Sequence, residues 1–96
     1  MQPVVLINPF EVPAGEEERF LKAWHEVAGH MRRAPGFLST RLHKSLDPQA
    51  KFRFINVAQW ESPQQLQAAI SSEAVQKLLA AVSFTAHPAL YQVIAE

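Results

Sequence analysis

The apolar residues of this chain change their spacing four times within 96 positions. That alternation limits the fold, because side chains on one face recur every two residues in a strand and about every 3.6 in a helix. Val4-Val5-Leu6-Ile7 is largely β-branched and apolar on both parities, so residues 3 to 12 are predicted to be extended, with Pro9 marking an edge position or a bulge. After Pro13-Ala14-Gly15, the acidic run Glu16-Glu17-Glu18 suits the positive end of a helix dipole. Phe20, Trp24, Val27 and Met31 then follow at helical spacing, as far as Arg32-Arg33 and the stop at Pro35-Gly36. Phe37 to Leu46 and Phe52 to Trp60 read as two strands joined at Asp47-Pro48-Gln49-Ala50 into an antiparallel hairpin. Ser62 with Pro63 and Gln65 forms a helix start of the capping-box type. Ser71-Ser72 recaps a second segment carrying Val75, Leu78, Leu79 and Val82, and Leu90 to Ala95 forms a last strand after His87-Pro88.

The order β-α-β-β-α-β predicts an α+β, ferredoxin-like fold, a four-stranded antiparallel sheet with both helices on one face. One sheet face is then left bare, yet the strands are apolar on both parities: Leu6 and Phe10 against Val5 and Ile7, Phe54 and Trp60 against Ile55 and Val57, Leu90 and Ile94 against Tyr91 and Val93. A wet face would alternate more cleanly, so a second sheet is expected to cover it, which predicts a two-fold homodimer. At this length one core fits and a second does not, so residues 1–96 are read as a single domain.

Composition narrows the function. Nine Lys+Arg balance nine Asp+Glu, and the basic residues are scattered, which argues against nucleic acid and acidic membranes as partners. The absence of cysteine removes disulfides, thiolate metal sites and thiol nucleophiles. No two histidines have the spacing of a metal pair, and there is no Gly-rich phosphate loop or G-x-S-x-G elbow. The N-terminus lacks the pattern of a signal peptide and no apolar run approaches membrane length, so a cytoplasmic protein is expected.

Two amides stand out. Phe52, Phe54, Asn56, Ala58 and Trp60 share one side of the third strand, and Val4, Leu6, Asn8, Phe10 and Val12 share one side of the first. A primary amide in an apolar row is costly unless its donors and acceptor find partners. If both rows face the helices, Asn8, Asn56 and the Trp60 indole N–H point into a dry pocket of the kind that holds a small molecule, with Phe10 and Phe54 as further candidate contacts. The step from Asn56 to Trp60 spans about 13 Å, which suits a planar multi-ring ligand. The bland alternative is that both amides close hydrogen bonds to irregular backbone at bulges. Trp24 is a candidate substrate contact, although its helical spacing explains it as core. His25 and His30 flank the first helix. If Leu42 pairs with Asn56, His43 lies on the opposite face with Arg41, and a slip of one residue turns it toward the pocket; His87 is either a site residue or a loop residue.

The run Pro35-Gly36-Phe37, then Leu42-His43, then Phe52-Arg53-Phe54-Ile55-Asn56-Val57-Ala58-Gln59-Trp60-Glu61-Ser62, resembles the antibiotic biosynthesis monooxygenase family. The resemblance implies ferredoxin-like subunits paired into a dimeric α+β barrel. It also implies a monooxygenase that oxidises phenolic polycycles, anthrones or quinols with dioxygen and without metal or flavin. In anthrone-oxidising members an Asn and a Trp four residues apart on the third strand contact the substrate, and Asn56 and Trp60 match that spacing. The wider family often has a His where this chain has Ala69, and the anthrone oxidisers have a Tyr near Leu66. Haem-degrading relatives share an Asn matched by Asn8, but their haem-ligating His falls at Leu79 and their haem-contacting Trp at Ala69. The expected activity is therefore cofactor-independent oxygenation of an aromatic molecule. Asn56, Trp60 and Asn8 are its first candidates, and His43 or His87 the available bases. A non-catalytic dimeric binding domain for an aromatic metabolite is the alternative, with haem binding through His87 or His43 without turnover ranked behind it.

Overall fold

The computed structural model describes residues 3–81 and 84–96. Eight elements follow in chain order: β1 (Val4–Glu11), α1 (Glu17–Met31), β2 (Phe37–Lys44), β3 (Phe54–Trp60), α2 (Pro63–Ile70), α3 (Glu73–Ala80), β4 (Thr85–Ala86) and β5 (Ala89–Tyr91). The sheet is antiparallel in the order β2-β3-β1-β4, with β5 also on β1, and the helices cover one face, which makes the fold ferredoxin-like.

Local chemistry accounts for the boundaries. Glu17 and Glu18 occupy the first turn of α1, where carboxylates meet the unpaired N–H groups. After α1 the chain reverses at Gly36, which has φ +89°. A Cβ at Gly36 would come within 2.5 Å of the Gln65 side chain. Gln65 belongs to the start of α2, where the Ser62 hydroxyl accepts from the Gln65 N–H at 3.2 Å and lies 3.0 Å from Gln65 Oε1. The Gly36 carbonyl accepts from Glu61 N–H at 2.8 Å, so the Pro35-Gly36-Phe37 turn is seated directly on the β3–α2 corner. Ser72 caps α3 in the same way as Ser62 caps α2.

Four expectations are corrected. The third strand begins at Phe54, two residues late; Phe52 leaves the row and packs its ring edge against His87 at 5.2 Å. The second strand ends at Lys44, because the Asp47 side chain closes a turn on Gln49 N–H and Arg53 Nη1 donates to the Ser45 and Asp47 carbonyls. The last strand is not one run over Leu90 to Ala95 but two short pieces separated by His87-Pro88. Pro9 is neither at an edge nor in a bulge. It pairs with Ile55 inside β1, and its carbonyl accepts from His87 N–H at 2.9 Å. The N–H and C=O of a strand residue point to the same neighbour, so the N–H that Pro9 lacks faces the break in the last strand, where no ladder bond is required. Val82, expected on α3, lies outside the described residues.

The core fills the space between helices and sheet. Phe20 stacks on Phe54 at 4.8 Å and meets Phe10 edge-on at 4.9 Å, while Trp60, Ala58, Leu66 and Ala69 form a second buried cluster. On the far face Val5, Ile7, Ile55 and Val57 are half-buried, and Tyr91, Val93 and Ile94 are exposed. No helix among the described residues is long and apolar enough to cross a membrane.

Candidate functional site

Register decides which side chains meet. β1 pairs with β3 so that Val4 faces Trp60, Leu6 faces Ala58, Asn8 faces Asn56 and Phe10 faces Phe54. Cross-strand partners project to the same side, so the two amides stand side by side under the helices. β2 pairs Leu42 with Asn56 and Thr40 with Ala58, which brings Thr40 to the same face, diagonal to Asn56.

Leu6, Asn8, Phe10, Thr40, Asn56, Ala58 and Trp60 form the floor of a cavity of about 390 Å³ between sheet and helices. Trp24, Val27 and Met31 of α1 and Leu79 of α3 form its roof, and Phe84, Ala86 and Pro88 close one end. The volume falls within the ordinary range of small-molecule pockets. The lining is apolar except for Asn8, Thr40, Asn56 and the two indoles of Trp24 and Trp60, and no described lining residue is charged or a histidine.

The polar groups are unevenly satisfied. Thr40 Oγ1 donates to Asn56 Oδ1 at 2.7 Å, which fixes the amide plane and leaves the Asn56 NH₂ to serve the cavity. Asn8 Oδ1 is buried and has no hydrogen-bond partner among the described residues. Such an acceptor costs about 1–3 kcal/mol relative to one that is paired. Among the described residues neither amide bonds irregular backbone, and the register shift in the strands around them lies at Phe37/Ser39 in β2.

Of the residues expected at the site, Asn8, Asn56, Trp60, Phe10 and Trp24 line the cavity. Three do not. Phe54 is buried between Phe20 and Lys44, beneath the floor's aromatic end, because α1 places Phe20 directly over it. His43 pairs with Ile55 and is exposed on the opposite sheet face, as the Leu42–Asn56 register requires. His87 is also exposed, with Nε2 2.8 Å from the Glu11 carboxylate. Thr40 was not anticipated. Threonine is an ordinary strand residue, and its role becomes visible once Leu42 is paired with Asn56 and parity is carried two residues along β2.

At the edge of the sheet, Lys44 Nζ lies 2.9 Å from Glu17 Oε1. That hydrogen bond, with the Lys44 and Arg53 charges, holds the Glu17 carboxyl below its ordinary range against a smaller opposing effect of burial. The pair ties the start of α1 to the end of β2 and stands outside the cavity lining.

A fold of this kind is found in an oxygenase of known structure. Residues 3–81 match the antibiotic biosynthesis monooxygenase family, and the chain belongs to that family. A mycobilin-producing haem oxygenase of Mycobacterium tuberculosis is 34% identical over 73 residues, covering 76% of this chain and 68% of that protein. A crystal structure from Shewanella loihica PV-4, to which monooxygenase activity has been ascribed, superimposes with a TM-score of 0.83 at 39% identity, covering 99% of this chain and 97% of the other. SnoaB of Streptomyces nogalater, a cofactor-independent oxygenase, gives a TM-score of 0.85 at 19% identity over 100% of this chain and 97% of its own, a likeness of fold.

Proposed function

We propose that the cavity binds a quinol-, anthrone- or polyketide-like aromatic molecule and that the protein oxygenates it with dioxygen as a cofactor-independent monooxygenase. The observation that carries this reading is the Asn8–Asn56 pair set in a cavity otherwise lined almost wholly by carbon. Trp24, Phe10 and Trp60 offer flat apolar surface to the rings, and the amides offer direction. In an anthrone-like substrate the ring methylene conjugated with a ketone loses a proton to give an electron-rich oxyanion. This anion passes an electron to dioxygen, the two radicals join in a C–O bond, and the hydroperoxide loses water to leave a carbonyl. Four electrons from the methylene reduce one dioxygen to that carbonyl oxygen and one water. The Asn56 NH₂ and the Trp60 indole are assigned to the substrate oxygens, with Asn8 assisting, and the apolar walls to keeping water from the peroxide. With no ionisable group in the described lining, the substrate proton goes to water.

The test is oxygen uptake by the protein with a panel of anthrones, hydroquinones and naphthols, corrected for autoxidation and repeated with Asn56→Ala. Uptake that needs the wild-type protein and falls in the variant supports the reading. Saturable binding without uptake across the panel converts it to the alternative, a binding domain for an aromatic metabolite.

Action on haem is a second reading, favoured by the 34% identity to the mycobacterial haem oxygenase. The lining argues against it. Haem brings two carboxylates and an iron seeking a ligand, whereas no charged, His, Cys or Tyr side chain is present among the described lining residues and Leu79 sits in the roof. Titration with haemin is expected to give no saturable Soret shift.

The same proposal takes residues 1–96 as one cytoplasmic domain that pairs as a two-fold homodimer; the pairing is supported by the half-buried Val5, Ile7, Ile55 and Val57 and the exposed Tyr91, Val93 and Ile94 on the far face.

A further inference from the structure

The described residues carry a single sulfur atom, and it belongs to the cavity. The chain has no cysteine and two methionines, of which Met1 lies outside the described residues and Met31 ends α1. Met31 is half-buried, borders the cavity from the roof, and packs against the buried cluster that contains Trp60. As packing this is unremarked, since a flexible thioether fills irregular gaps. As chemistry it is exposed to attack: the proposed reaction forms an organic hydroperoxide in the space that Met31 borders. The neighbouring roof residues Val27 and Leu79 offer only saturated carbon, whereas a thioether is readily oxidised.

We propose that Met31 is an oxidation site for an organic hydroperoxide held in the cavity, and that its sulfoxide closes the cavity to aromatic ligands. A sulfur lone pair attacks the outer peroxide oxygen, an S–O bond forms as the O–O bond breaks, and the hydroperoxide proton passes to the departing oxygen. Two electrons leave the thioether, which becomes the sulfoxide, and reduce the hydroperoxide to an alcohol. A polar, chiral group then replaces a flexible apolar one in the roof beside Trp24, Val27 and Leu79. Ring surface that had met carbon meets an oxygen stripped of water, which is unfavourable. Protein that dehydrates its hydroperoxide promptly stays open; protein that lets it linger closes, and methionine sulfoxide reductases reopen it. The inference rests on the proposed function for the source of the hydroperoxide and adds a modification that regulates the same site.

The first arm of the test needs no turnover. Ligand-free protein is treated with tert-butyl hydroperoxide, its peptides are weighed by mass spectrometry, and its affinity for 1-naphthol is measured anaerobically by calorimetry before and after. One added oxygen is expected on the Met31 peptide, with a fall in affinity of about tenfold or more, the scale of one polar group buried without a partner. Methionine sulfoxide reductases should restore the affinity. Met31→Leu, compared with its own untreated sample, is expected to keep its affinity through the treatment; Met31→Ile replaces it if the leucine variant lacks a native circular dichroism spectrum. In the second arm the wild type turns over an anthrone in air with catalase present. The same oxygen is expected on Met31, because catalase removes free hydrogen peroxide and not a hydroperoxide enclosed in the cavity. Folded protein whose Met31 resists the treatment, a sulfoxide that leaves the affinity unchanged, or a loss of affinity that persists in Met31→Leu would overturn the inference. Oxygen uptake that leaves Met31 unmodified would overturn it as well, with the proposed function left standing. No uptake across the substrate panel, or no binding of 1-naphthol to untreated protein, would instead remove the proposed function, and the inference with it.

Discussion

Asn8 and Asn56 stand directly opposite each other across the β1–β3 ladder, and Thr40 engages only the second of them. One amide is therefore oriented by the protein, and the oxygen of the other has no hydrogen-bond partner among the described residues. An active-site group held by a neighbour needs no reorganisation when the substrate arrives, which is the advantage of a prearranged donor over a mobile one.

Thr40→Val keeps the shape of β2 and removes the hydroxyl that holds the Asn56 amide plane. Ligand affinity, or kcat/KM for an accepted substrate, is expected to fall about three- to tenfold, the worth of one ordinary hydrogen bond. Thermal unfolding should move little. An unchanged affinity would show that Asn56 keeps its orientation without Thr40.

Proton transfer gives a second expectation. His43 and His87 both lie outside the cavity, and no described lining residue can titrate near neutrality. The rate is predicted to rise with pH through the substrate's own phenol pKa, so the inflection should move from one substrate to the next. His43→Ala and His87→Ala should leave it in place. A fixed inflection shared by substrates of different acidity would point to a protein base.

The Gly36 turn is where a single methyl group should do most harm. Its positive φ is unfavourable for any other L-residue, and a Cβ would press on Gln65 at the start of α2. Gly36→Ala is expected to cost about 1–3 kcal/mol from the backbone alone, read as a lower urea midpoint with an unchanged slope.

Glu17 provides a pH-dependent contribution of known sign. Its carboxyl titrates lower in the folded protein than in the unfolded chain, chiefly through the Lys44 hydrogen bond. The stabilisation is complete above the unfolded value and is lost as pH falls through the lowered folded value. Wild type should therefore exceed Glu17→Gln in urea midpoint at neutral pH, by a small margin because the pair is exposed, and the two should converge in acid. A margin that widens in acid would contradict the assignment.

Light scattering tests the pairing of two copies. A dimer mass at micromolar concentration is expected, and Ile55→Asp, on the half-buried far face, should shift it toward the monomer. A monomer mass for the wild type would remove that proposal.

The sequence carried the fold because its periods are clean where elements are long: α1, α2 and β3 fall within two residues of their predicted bounds. The amide pair was legible for a similar reason, since a polar residue interrupting an apolar row is visible without coordinates. What stayed hidden depended on single-residue offsets. The facing of His43 turned on one step of register, Phe52 fell out of its row because β3 starts at Phe54, and Phe54 met Phe20, a contact between distant residues that no local pattern encodes. Thr40 lacked any local signal at all. The break at His87-Pro88 before the last strand was written in the sequence, but Pro9 could be understood only once its carbonyl was seen to accept from the His87 N–H.

That interruption divides the cavity's boundary into parts of unequal strength. Floor residues on β1 and β3 are stitched into seven consecutive cross-strand pairs, whereas the Phe84–Pro88 wall is attached to β1 through Thr85, Ala86 and the His87 N–H. Separating it from β1 disturbs two residues of ladder and spares Ala89–Tyr91, which are anchored independently at Val5, Leu6 and Ile7. Opening of this kind is a local event with its own small free energy, independent of global unfolding. The amides of Thr85 and His87 should accordingly exchange with solvent well before those of β3, and a ligand filling the cavity should slow them most.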